Sequence, residues 1–182
     1  GAALAAELER IGAGQGEIKE MLGKVLERLP DSARRGSVTP RLSASLRSVA
    51  DIRLLEELER RINALPPDQR TPEMLDVVGR LAMAVGVFAH AEEHFRQAAH
   101  RSGAASAQAE AHYNAYRALL EQKRWDDALT ELLAARQLDP ERFALFPAKY
   151  QPQRILGAGG FGVAFLCEHA HLRRRLVIKS FH

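Results

Sequence analysis

The chain has 182 residues, 46% of them apolar, and a net charge of +3, enough for one ordinary domain or a small helical module with appendages. Its single cysteine, Cys167, excludes an internal disulfide, and no apolar run approaches the roughly 18 residues that a membrane-spanning helix needs. A cytoplasmic chain with no membrane partner and no visible secretory signal is the expectation.

The charge is unevenly spread. From residue 143 onward, Lys149, Arg154, Arg173, Arg174, Arg175 and Lys179 face one acid, Glu168. A basic tail invites nucleic acid, but no interleaved aromatics or reading motif accompany it, so nucleic acid is not the expected partner.

In chain order, Leu4, Leu8, Ile11, Gln15, Ile18, Leu22, Val25 and Leu29 recur at alternating spacings of four and three. That is a heptad seam, and it predicts a helix over 1–29. The seam suits a partner helix, hence a homo-oligomer through residues 4–29. It equally suits packing on its own chain, and Gly12, Gly14 and Gly16 each cost the helix about 1 kcal/mol against alanine. Residues 30–48 are rich in Pro, Ser, Gly and Arg without apolar periodicity and read as a flexible linker. Within it, Arg34 and Arg35 precede Ser37 in the pattern of a basic-directed phosphorylation site, where phosphate would nearly neutralise the cluster. An ordinary solvated serine fits the same composition.

Over 49–71, Ile52, Leu54, Leu55, Leu58, Ile62 and Leu65 share one helical face. This predicts an amphipathic capping helix that Pro66 and Pro67 end, with Thr71 and Pro72 restarting the chain as cap and first turn. Two segments over 72–142 then match at a shift of 37 residues: Phe88 with Trp125, Ala91 with Ala128, Phe95 with Leu132, and Ala98 with Ala135. Small residues let helices approach closely while large ones fill the space between them. The pattern, closed by Asp139 and Pro140, resembles the tetratricopeptide repeat, a pair of antiparallel helices of about 34 residues. The resemblance implies two stacked helical hairpins and a surface that takes a protein or peptide ligand. The second unit departs from it where Tyr116 stands in place of the glycine kept at Gly79. The three surplus residues of the 37 are expected in the connector between the hairpins.

From residue 143 to 182 the periodicity changes from helix to strand. Gly157, Gly159 and Gly162 form GxGxxG, which dinucleotide-binding folds also carry, but with a helix directly after the last glycine. Here Val163, Ala164, Phe165 and Leu166 read as a returning strand, and a third strand, 176–178, ends in Lys179. Together these features resemble the opening of the protein kinase catalytic domain, of the bacterial serine/threonine type. Carried over residue by residue, the resemblance implies that Leu156 and Gly157 open the loop. Gly159, Gly160 and Gly162 let backbone amides approach phosphate, and Phe161 takes the tip. Ala164 stands where the family usually has a valine against adenine, and Lys179 matches the lysine on the α and β phosphates.

The expected fold class is thus mainly α, with tetratricopeptide-like hairpins, an N-terminal heptad helix and a C-terminal antiparallel β segment resembling the start of a kinase N-lobe. The resemblance implies ATP with Mg²⁺ as cofactor of a complete kinase. These residues hold no catalytic-loop aspartate and asparagine and no DFG aspartate, so neither phosphotransfer nor firm ATP binding is expected of them alone, and no metal ligands are assigned. The expected function is a regulatory interaction arm of such a kinase. The alternative is a scaffold that clusters kinase domains for phosphorylation in trans. Residues 143–182 are expected to cover their apolar face, either on the second hairpin or on another copy.

Overall fold

The computed structural model describes residues 16–29 and 48–181. Leu4, Leu8, Ile11 and Gln15 of the seam, and Ser37 of the linker, lie outside them. The described chain is mainly helical, with six α-helices followed by a three-stranded antiparallel sheet.

Helix α1 (Gly16–Arg28) carries the other half of the seam. Ile18, Leu22, Val25 and Leu29 are all buried, in one apolar cluster with Leu55, Leu58 and Ile62 of α2 (Val49–Ala64) and Met74 and Leu75 of α3 (Pro72–Val85). This half of the seam therefore packs within its own chain. Heptad spacing creates an apolar stripe that must be covered, but is silent on whose surface covers it. The Arg28–Asp51 ion pair ties the end of α1 to the start of α2. Ser48, placed in the linker by composition, is the N-cap of α2: its Oγ accepts the Asp51 N–H at 3.1 Å and donates to the Asp51 carboxylate at 2.6 Å. This reciprocal arrangement fixes the first turn.

Helix α3 starts from the Thr71 cap with Pro72 in its first turn, as the sequence predicts. It ends at Gly86, whose φ of 84° lets α4 (Phe88–Arg101) turn straight back. Helices α5 (Ala105–Glu121) and α6 (Trp125–Leu138) repeat the arrangement, and α3 to α6 pack each on the next. Connectors this short make neighbouring helices antiparallel. The position equivalent to Gly86 is Lys123, held at φ 57° without glycine. The surplus residues do not sit in the connector: α5 is 17 residues long against 14 for α3, so the extra three extend the helix. The stretch Ala105–Ser106–Ala107 is a good helix former and propagates α5 N-terminally.

The inverted small–large pair is explained by volume. A Cβ on Gly79 would stand 2.7 Å from Phe95 Cε1; in the second hairpin the smaller Leu132 replaces the phenylalanine, and Tyr116 is buried in the same cluster. Beyond α6, Phe143 stacks on Tyr113 at 4.8 Å between ring centroids and Phe146 packs edge-on against Phe165. Residues 143–149 thus line the second hairpin rather than beginning the sheet.

Strands β1 (Tyr150–Gly159), β2 (Gly162–His169) and β3 (Arg175–Phe181) form a meander in the order β1-β2-β3. The third strand is longer than the sequence indicated. Alternation sorts the two faces. Ile155, Val163, Phe165 and Cys167 are buried with Leu119, Leu120, Leu129 and Leu132, so this face lies on α5 and α6. The apolar face is covered by the second hairpin, one of the two outcomes expected. The opposite face stays open: Val177 is 54% and Phe181 74% exposed.

Candidate functional site

The strand register aligns the residues that the sequence singled out. Gly157 pairs with Ala164, and Ala164 with Lys179, giving one row across all three strands on the open face. Gly159 pairs with Gly162 around the turn that holds Gly160 and Phe161. A cavity of about 470 Å³ lies here, lined by Gly157, Ala158, Gly159, Phe161, Gly162, Val163, Ala164, Lys179 and Phe181. Leu156 and Gly160 are outside its lining. Leu156 falls at a register shift between Ile155 and Gly157 and is 45% exposed. Phe161 projects from the tip, 83% exposed. Lys179 makes no ion pair among the described residues.

The glycines are not equivalent. Gly162 has φ 149°, and a Cβ there would stand 2.1 Å from the Ser180 carbonyl oxygen, so the fold itself requires glycine. Gly157 and Gly159 have no positive φ, and a Cβ on either would meet nothing within 4 Å. Backbone conformation therefore calls for glycine at Gly162 and not at Gly157 or Gly159. At the other two, no contact among the described residues explains the missing side chain. The space that a side chain would fill is left clear beside the cavity wall, the property that close approach by a phosphate needs.

Gly162 leads into a strand, not a helix. That removes the dinucleotide-binding reading, in which the last glycine opens a helix. Chemically, the open face offers one ammonium group, exposed backbone and small side chains. The cavity there can hold an anion and a flat apolar group, and among its described lining residues there is no carboxylate, imidazole, hydroxyl or thiol. Cys167 is buried against α6, and burial, which disfavours the reactive thiolate, pushes its thiol up despite the nearby Arg136 guanidinium.

Phe181, which lines the cavity, was missed from sequence. The signal was present: it lies two residues beyond Lys179 and shares its face by strand alternation.

The repeat surface carries a second set of polar groups. Glu59 of α2 accepts from His94 at 2.6 Å and from His90 at 2.9 Å, both on α4. Glu131 of α6 accepts from His112 at 2.6 Å and from Arg96 at 3.1 Å. The Glu59 clasp joins α2 to α4, and the Glu131 clasp joins α6 to α5 and α4; Arg96, His112 and Glu131 also line a polar groove of about 780 Å³ with His100, Gln108 and Gln137.

Comparison with known proteins returned no family model, no curated protein and no solved structure that matches this chain.

Proposed function

We propose that this chain is the regulatory protein-interaction arm of a serine/threonine protein kinase: tetratricopeptide-like helical hairpins joined to the phosphate-side hairpin of an ATP site. The observation that carries the reading is the row Gly157–Ala164–Lys179 on the open face of a sheet whose other face is part of the repeat core. In this reading Gly157, Gly159 and Gly162 admit the phosphates, Lys179 neutralises the α and β phosphates, and Leu156 and Ala164 flank the adenine. Phe161 closes the tip. Magnesium belongs to the complete kinase, since no residue of this row is a carboxylate.

The repeats supply the regulation. Ile155 lies just before the glycine loop and Val163 just after it, and both are buried against α5 and α6. A protein or peptide that shifts these helices on binding shifts the loop with them. By linkage, ligand and nucleotide then change each other's affinity by the same factor. No observation among the described residues favours the clustering scaffold, because the described half of the heptad seam is buried within the chain.

The reading frame downstream of His182 tests the proposal. It must continue into a catalytic-loop aspartate and asparagine and a DFG aspartate; a stop codon in their place overturns the kinase reading. The 182 residues alone should bind ATP no tighter than about millimolar, because one lysine and a loop of amides lack metal and adenine-side partners. Micromolar affinity in isothermal titration would contradict that.

A further inference from the structure

We propose that the turn between β2 and β3 is a docking surface for an anionic lipid bilayer. It lies at the far end of the sheet from the glycine loop: the length of β2, about 23 Å at the usual rise per residue, separates them, so this surface is distinct from the nucleotide site.

Residues 170–175 are all exposed, and they include Arg173, Arg174 and Arg175. Lys149 joins them, since the Ala170 N–H donates to the Lys149 carbonyl at 2.8 Å. These four cations make no ion pair among the described residues. The acid nearest along the chain is Glu168, opposite Arg175 in the register and accepting from Gln153 at 2.8 Å.

The turn is built rather than loose. His169 Nδ1 accepts the N–H groups of His171 and Leu172 at 3.2 and 3.1 Å. The His169 N–H donates to the Arg174 carbonyl at 2.8 Å, and the Arg173 N–H to the His169 carbonyl at 2.9 Å. Amid this cationic rim stands Leu172, 65% exposed.

The combination selects the partner. Arginine forks pair with phosphate oxygens. A nucleic acid would be met by a helix in the groove or by stacking aromatics, and would gain nothing from Leu172. An acidic peptide motif would engage the arginines alone and would leave the exposed Leu172 in water. A flat anionic surface accommodates both features, with the leucine entering below the headgroups and the guanidinium groups lying at their level. This is attachment to a surface, not a span: among the described residues no helix is long and apolar enough to cross a membrane. It departs from the sequence expectation of no membrane contact, which rested on the absence of a spanning segment.

The test is co-sedimentation of the whole chain with vesicles of phosphatidylcholine, with and without about 30 mol % phosphatidylserine, at low and high salt. The proposal predicts binding to anionic vesicles only, lost in high salt. Each arginine contributes about a fivefold factor to partition. The double variant Arg173→Asn, Arg174→Ala should therefore bind about thirtyfold more weakly with an unchanged thermal midpoint, asparagine being tolerant of the left-handed backbone at 173, where φ is 49°. Leu172→Ser should weaken binding without changing its salt dependence. Equal sedimentation with neutral and anionic vesicles, undiminished binding of the double variant, or tighter binding to duplex DNA or polyglutamate at the same salt would each overturn it.

Discussion

At Gly79 the missing side chain is a packing requirement, because Phe95 occupies the space a Cβ would take, at 2.7 Å. Alanine would gain up to about 1 kcal/mol in helix propensity and lose about 1 to 3 kcal/mol to overpacking, so Gly79→Ala should lower the thermal midpoint. Adding Phe95→Leu, the residue the second hairpin has at Leu132, should make the alanine nearly harmless. A double-mutant cycle showing additive losses would contradict this packing. Gly162 and Gly157 make a sharper contrast. Gly162→Ala must displace the Ser180 carbonyl and should disrupt the β2–β3 pairing. Gly157→Ala meets no atom of the described residues within 4 Å and should leave stability within about 0.5 kcal/mol of the parent, while weakening the shift of the Gly159 amide in an NMR titration with ATP. A stability loss at Gly157, or an unchanged ATP response, would detach that glycine from phosphate binding.

Between elements, the clasps of Glu59 and Glu131 make the helix stack sensitive to acid. Burial pushes the Glu59 carboxyl up, but hydrogen bonds from His94 and His90 outweigh it and hold the group below its ordinary value of 4.5. Glu131 behaves alike: burial raises it, and His112 and Arg96 bring it below 4.5. A carboxyl lowered in the folded state stabilises the fold fully above its unfolded value, and that contribution is lost as pH falls through the lowered folded value. The thermal midpoint should therefore fall as pH drops below about 4.5, and Glu59→Gln should flatten part of that fall; an identical acid profile for the variant would remove Glu59 as a cause. Much at this scale was legible in the sequence. The amphipathic face of α2, the Thr71–Pro72 start of α3 and the strand after Gly162 all follow from periodicity and caps. The start of α5 at Ala105 was not, because a connector that shares the helix-forming composition of its neighbour gives no boundary. Nor was the turn at Lys123, where packing on both sides imposes a backbone that no glycine announces. The row Gly157–Ala164–Lys179 was foreseeable only as spacing along the chain, since two register shifts in β1 decide which residues stand opposite one another.

For the whole molecule, the decisive feature is that the sheet has no core of its own. The apolar cluster holding Ile155, Val163, Phe165 and Cys167 is completed by Leu119, Leu120, Leu129 and Leu132, and Phe146 bridges the two parts. Removing Leu132, which is fully buried, should therefore cost the usual 2 to 5 kcal/mol of a leucine-to-alanine cavity, and the loss should register in the sheet as well as in α6. Composition could not reveal this, because an alternating strand shows that one face is covered without naming the cover. The nucleotide reading depends on the same contact, for a glycine loop detached from the repeats would have nothing to transmit. Native-state hydrogen exchange measures it most directly. Amides of Val163, Phe165 and Cys167 should be protected to the same degree as those of Ala128 to Ala135, with Leu132→Ala lowering both together. Fast exchange throughout residues 150–181 beside a fully protected α3 to α6 would show that repeats and hairpin are independent, and would contradict the account.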